Sequence, residues 1–93
     1  MIRASDGRVE VSGAMTLPAA AKLLAEGVAA LADPETVLDL AAVNDLDSSS
    51  IAVIFGWQRA AQRQGKTIRI VHPPKEMLVL AEVYGVAELL PLA

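Results

Sequence analysis

Three consecutive hydroxyls, Ser48-Ser49-Ser50, follow the carboxylate of Asp47 and precede the large apolar residue Ile51. Side chains of these types at this spacing could do three kinds of chemistry. A serine could act as a nucleophile if an imidazole and a carboxylate were brought to it. It could accept a phosphate, which adds a charge of about −2 to the surface that carries it. Or the group could open a helix, whose first backbone N–H groups lack internal partners and favour negative charge.

The first possibility finds no support along the chain. His72 is the only histidine and lies beyond the next predicted strand. No Gly-x-Ser-x-Gly elbow surrounds the serines and no glycine-rich phosphate loop is present. The sequence therefore predicts a protein that is not an enzyme. Without cysteine, and with one histidine, it offers no thiolate or histidine metal site, and no cofactor motif appears.

As a helix start, the segment offers more oxygens than capping requires. Asp47 or Ser48 can satisfy the orphan N–H groups, leaving other hydroxyls for solvent or a partner. In the helix that follows, placing Ile51, Ile54, Phe55 and Ala61 inward puts Ala52, Gly56, Arg59, Ala60 and Arg63 on the outer face. That face is thin, and Gly56 costs a helix interior about 1 kcal/mol relative to alanine. Close approach of another protein's helix would account for the glycine; so would a neighbouring core element. The predicted partner-binding set is Asp47, Ser48, Ser49, Ser50, Ile51, Ala52, Gly56 and Arg59, with Ser49 and Ser48 as candidate phosphoacceptors.

The elements that must position these residues follow from periodicity and turn chemistry. Ile2–Ala4 and Val9–Ser12 read as short strands joined by the hairpin signal Ser5-Asp6-Gly7. Thr16 and Pro18 suit a helix start, and Leu17, Ala20, Ala21, Leu24, Val28 and Leu31 recur as its inward stripe. Thr36–Leu40 is a short β-branched and apolar run, predicted to be a strand buried on both faces. A turn over residues 41–50 leads into the second helix, which ends near Gln64 with Gly65 as its stop. Thr67–Val71 is another strand. Pro73-Pro74 then presets a third helix, with Met77, Leu80, Ala81 and Tyr84 inward and Gly85 closing it. Residues 86–92 form an apolar tail that folds back on the sheet. The order β-β-α-β-α-β-α implies right-handed crossovers, a mostly parallel sheet and one α/β domain over residues 1–93.

Composition limits the partners. The chain of 93 residues is 54% hydrophobic but only 3% aromatic, and its mean hydropathy is +0.44. So small a domain cannot hide all of that, and apolar surface left outside points to a partner or an oligomer. A net charge of −3 argues against nucleic acid. Between Ser48 and Lys75 the charges are Arg59, Arg63, Lys66, Arg69 and Lys75, with no acid. A solvated face is the first reading of that run, and an edge for an acidic partner or lipid head groups the second. No uninterrupted apolar run is long enough to insert into a membrane. The first residues lack the apolar core of a signal peptide, which places the protein in the cytoplasm.

The segments Val37-Leu38-Asp39-Leu40, Val43-Asn44-Asp45-Leu46-Asp47-Ser48-Ser49-Ser50 and the helix from Ile51 resemble the signature of the STAS domain family. Gly65-Lys66-Thr67 leading into a strand, and a helix after the proline pair, agree with it. Within the family the chain is most similar to the small STAS subunits of bacterial Mla phospholipid transporters. The alanine-rich first helix, Trp57-Gln58-Arg59-Ala60-Ala61, Gln64-Gly65-Lys66-Thr67 and Leu80-Ala81-Glu82-Val83-Tyr84-Gly85-Val86 carry that similarity.

The resemblance implies a non-catalytic accessory subunit, without cofactor, that binds the cytoplasmic ATPase of an inner-membrane ABC transporter and sits in a complex with its permease. Such a complex moves phospholipid between membranes and maintains outer-membrane lipid asymmetry. In these subunits the hydroxyl after the turn aspartate, here Ser48, lies at the ATPase interface. In the family's anti-sigma-factor antagonists the second serine, here Ser49, is phosphorylated, which gives the alternative function. Both groups usually carry glycine where this chain has Ser50.

Overall fold

The computed structural model describes residues 1–93. Strands β1 (Ile2–Ser5) and β2 (Arg8–Met15) form a hairpin whose register pairs Ser5 with Arg8. Asp6 and Gly7 are thus a two-residue loop, both with positive φ (49° and 76°), the backbone that matches the twist of the flanking strands. β2 runs parallel to β3 (Glu35–Leu46), and β3 parallel to β4 (Thr67–Val71), giving the sheet order β1-β2-β3-β4. Helix α1 (Leu17–Ala29) connects β2 to β3, α2 (Ser49–Arg63) connects β3 to β4, and α3 (Lys75–Val83) follows β4. This is the predicted β-β-α-β-α-β-α order. The tail does return to the sheet: Leu90 is buried, and Ile70 N–H donates to Pro91 O at 2.8 Å.

Alternate strand residues face the helices. Val9, Val11, Leu38, Leu40, Ile68 and Ile70 join Leu23, Ile54, Trp57 and Met77 in a core cluster of 17 buried apolar residues. Arg8, Glu10 and Arg69 on the opposite face are exposed, and Val37 and Asp39 are half-exposed. β3 is therefore not buried on both faces, as its apolar run suggested; nothing covers the second face of this sheet.

β3 also continues to Leu46, through the stretch read from sequence as a turn. While β2 advances from Glu10 to Ser12, β3 advances from Asp39 to Ala42; Gly13 to Ala14 is matched by Val43 to Asp45. Each irregularity inserts an extra residue into β3, as β-bulges do, and breaks the two-residue alternation by which a strand is recognised. Ala41, Ala42, Asn44 and Asp45 are accordingly all exposed.

The inward face of α1 is turned from the one predicted. Leu23 and Gly27 are buried, whereas Leu17 is 71% exposed and Ala21 and Leu24 lie outside. Trp57 sets this rotation. Its ring is fully buried, and its indole N–H donates to Leu23 O at 3.1 Å and Leu24 O at 3.2 Å. A Cβ at Gly27 would fall inside that ring, 2.8 Å from Cδ1 and closer still to Nε1. The inner face of α2 gains Val53 and Trp57 beside Ile51, Ile54 and Ala61, and Phe55 and Ala60 are half-buried. On α3, Met77 and Ala81 face the core, but Tyr84, past the last turn, is 58% exposed. Both predicted glycine stops hold. Lys66 N–H reaches Ala61 O, and Val86 N–H reaches Ala81 O, each at 2.8 Å, the closure expected around a left-handed glycine.

Candidate functional site

Register explains why the serine turn becomes a site. Met15 and Leu46 lie opposite one another at the carboxyl ends of neighbouring parallel strands. α1 begins two residues after the first, at Leu17, and α2 three residues after the second, at Ser49. Two helix starts therefore open side by side at the end of the sheet where open α/β folds place their contacts.

Asp47 sits between them. Its Oδ2 accepts the Leu17 N–H at 3.0 Å; its Oδ1 accepts the Ser49 N–H at 2.9 Å and the Ser49 hydroxyl. Its own N–H donates to Met15 O at 3.3 Å. One carboxylate thus caps two helices. Neither Thr16 nor Ser48, the other predicted caps, makes a side-chain cap bond. The Ser49 hydroxyl first, then the Leu17 amide, hold the Asp47 carboxyl below the usual carboxylate range, against a smaller opposing effect of desolvation. The anion also suits the positive ends of both helices.

The three serines have three different fates. Ser48 is exposed and its hydroxyl makes no hydrogen bond within the chain. Ser49 is half-buried and committed to Asp47. Ser50 is fully buried, and its Oγ has no hydrogen-bond partner. Ile51 is in the core. Of the residues predicted to meet a partner, Ser50 and Ile51 point inward, Asp47 and Ser49 are tied to each other, and Ser48, Ala52 and Arg59 are exposed. Gly56 is half-buried: a Cβ there would lie 2.6 Å from Leu24 Cδ1, so α1 of the same chain already fills its notch.

Sequence reasoning missed the apolar residues around this turn. Leu17 is exposed on one side. On the other, a groove of about 630 Å³ separates the start of α2 from α3, with Leu46, Ser48, Val79, Leu80 and Tyr84 on its walls. Val79 is 52% and Val83 73% exposed. A signal for α3 was available, because Met77-Leu78-Val79-Leu80-Ala81 is apolar on every side and a helix this short can bury only one.

Other polar residues are engaged elsewhere. Asp39 accepts the Ala41 N–H at 3.0 Å, which the first bulge leaves out of the ladder, and pairs with Arg8 at 2.7 Å and His72 Nδ1 at 3.1 Å. The Ala41 amide first, then Arg8, pull its pKa down to about 2. Asp39 lies opposite Glu10 and Leu46 opposite Met15, so with the two bulges taken out Asp47 is about six strand steps beyond Asp39, roughly 20 Å at ~3.3 Å per residue. His72 is thus held away from the serines, and no serine–histidine pair is assembled. The basic run divides as well: Lys66 donates to Leu31 O at 2.7 Å and Arg69 pairs with Glu35, while Arg59, Arg63 and Lys75 have no ion pair.

Likeness to solved structures gives the fold, and a family model gives the class. The fold is that of SpoIIAA, an anti-sigma factor antagonist solved in its unphosphorylated form (14% identity, TM-score 0.67, 88% of this chain and 80% of that one). A Thermotoga maritima protein described as an anti-sigma factor antagonist aligns over 99% of this chain and 83% of its own (14% identity, TM-score 0.76). A sulfate transporter family protein from Wolinella succinogenes aligns over 97% and 79% (15%, 0.69). At such identities the likeness is one of fold. The chain belongs to the family described as Mlab, STAS domain, whose model matches residues 2–91. It is 34% identical over 50 residues to MlaB of Haemophilus influenzae, an intermembrane phospholipid transport system binding protein. That match covers 54% of this chain and 48% of the relative, about half the length of each. No helix is long and apolar enough to cross a membrane.

Proposed function

We propose that this protein is a non-catalytic accessory subunit that docks on the cytoplasmic ATPase of an Mla-type ABC transporter, in complex with its permease. In that role it supports phospholipid transport between membranes and outer-membrane lipid asymmetry, and it is peripheral to the inner membrane through its partner. The observation that carries the reading is the free Ser48 hydroxyl at the start of α2. It is exposed and unbonded while the Asp47 carboxylate and the Ser49 hydroxyl beside it are used internally, and Ala52 and Arg59 are exposed further along the same side of the helix. The family membership and the similarity to MlaB support the choice of partner. A hydroxyl at such a point can be covered by another protein at little desolvation cost if that protein returns a hydrogen bond.

Ser48→Asp tests the reading. A carboxylate at a helix start adds a few tenths of a kcal/mol of stability. At a close-packed contact it should cost at least tenfold in affinity. We expect the tagged wild type to recover the ATPase and permease from native membranes with Ser48 and Ser49 unmodified, and Ser48→Asp to recover neither. Recovery of a serine-kinase anti-sigma factor, with phosphate on Ser49, would replace this reading with that of a phosphorylation-switched antagonist. A phosphate on Ser49 would replace that hydroxyl's bond to Asp47 with two negative groups side by side, so such a switch would act by opening this turn.

A further inference from the structure

We infer that Asp47 is a positioning residue: it clamps the starts of α1 and α2 to one another and so presents Leu17 and Ser48 as one preformed surface. The inference rests on the docking reading for its consequence, but not for its geometry. Leu17 is the first residue of α1, and its side chain is 71% exposed while its N–H is bound to Asp47. Ser48 is the residue next to Asp47, and its hydroxyl is free. All of the carboxylate's bonds run inward to backbone and to Ser49, so Asp47 acts on a partner through its neighbours and not by contact. The strand register places Met15 beside Leu46 and brings the two helix starts within reach of a single side chain. Without the clamp each start would fray, as uncapped helix ends do, and a partner would have to order both on binding. Asparagine cannot replace aspartate here. Its one carbonyl oxygen can serve one helix start, while its NH₂ would face the N–H of the other.

The test compares Asp47→Ala and Asp47→Asn with Asp39→Ala, which breaks a carboxylate knot of similar size on the open face of the sheet. Amide hydrogen exchange at Leu17 and Ser49 reads the clamp. Affinity for the purified ATPase subunit of the Mla-type transporter, measured where all variants are folded, reads its consequence. We expect Asp47→Ala to speed exchange at both amides at least tenfold and to weaken binding at least tenfold. Asp47→Asn should speed exchange at one of the two amides and bind with intermediate affinity. Asp39→Ala should lose stability yet bind as wild type, which a merely structural role for Asp47 would not produce. Unchanged exchange in Asp47→Ala would overturn the clamp. Weaker binding without faster exchange would overturn it too, because the carboxylate would then touch the partner itself. Fast exchange with unchanged affinity would remove its consequence for docking. A wild-type protein that binds no ATPase sinks the docking reading instead, and the exchange data still decide whether the clamp exists.

Discussion

Helices α1 and α2 run side by side, and the two parts of their contact are made of different materials. Away from the starts, Gly27 in the last turn of α1 opens a notch that the rigid indole of Trp57 fills, with no exposed atom on the ring and both indole hydrogen bonds made to α1 carbonyls. At the starts there is no such packing. One carboxylate holds the two ends, Leu17 stands out in solvent and the Ser48 hydroxyl is unused. The packed part fixes the distance between the helices and leaves nothing for another molecule to meet. The polar part fixes their relative ends through hydrogen bonds and leaves its outer surface available. Stability and recognition are thus assigned to different turns of the same helix pair, and substitutions should separate them.

The largest effect is expected at the packed part. Gly27→Ala places a methyl group inside an aromatic ring that cannot swing away, and overpacking of that kind costs about 3 kcal/mol or more. Urea unfolding of the variant should show the loss directly. A loss under about 1 kcal/mol would mean that the helices separate easily, and the contrast between the two parts would collapse. Next comes the uncovered face of the sheet, where Asp39 makes a knot as well bonded as that of Asp47 but without a large exposed apolar neighbour like Leu17. Its pKa is depressed from 3.8 to about 2. Such a group contributes stability that is fully present above pH ~4 and is lost as the pH falls through about 2. Allowing for solvent screening, the contribution is about 1–2 kcal/mol. Asp39→Asn should therefore be less stable than wild type at pH 7 by that amount, and the gap should close by pH ~2. A gap that does not change with pH would mean that the carboxylate's charge is not what ties Arg8, Ala41 and His72 together.

Ser50 tests the boundary between the two parts. It is buried on the inner side of the α2 start with an unsatisfied hydroxyl, and such groups cost about 1–3 kcal/mol. Ser50→Ala should raise stability by about 1 kcal/mol in thermal unfolding while leaving docking unchanged. If docking falls with it, Ser50 contributes to the surface after all, and the division must be drawn one residue further along α2.

The sequence carried the parts of this arrangement that depend on local chemistry. The Asp6-Gly7 hairpin, the stops at Gly65 and Gly85, the strand at Thr67–Val71 and the capping capacity of Asp47 each follow from neighbours in the chain. What it did not carry depends on pairs of residues distant in sequence. Alanine and leucine surround α1 so completely that several inward faces are equally plausible from spacing, and the choice is made by the fit of Trp57 against Gly27. The two bulges of β3 erase the alternation over residues 41–45, so a strand reads as a turn. That Asp47 serves α1 as well as α2 follows from strand register, which no local pattern encodes.

The smallest effect is expected at Gly56, which lies between the two parts. Its situation mirrors that of Gly27: a glycine on one helix receives a large side chain from the other. The difference lies in what would have to move. An added Cβ would come within 2.6 Å of Leu24 Cδ1, and Leu24 is 37% exposed, so its tip has solvent to swing into. Helix propensity favours alanine over glycine by about 1 kcal/mol. Displacing the leucine tip costs a comparable amount in an off-rotamer side chain and lost contact. Gly56→Ala should therefore fold with a stability within about 0.5 kcal/mol of wild type, and Leu24→Ala combined with it should release the strain and show coupling of at least that size in a double-mutant cycle. Docking gives the second reading of the same variant. If the partner approaches over α2 between Ser48 and Arg59, the displaced leucine stands in its way, and affinity should fall although stability does not. If affinity holds in Gly56→Ala and falls in Ser48→Asp, the contact is confined to the helix starts. Gly56 would then belong with Gly27 as an internal notch between the two helices.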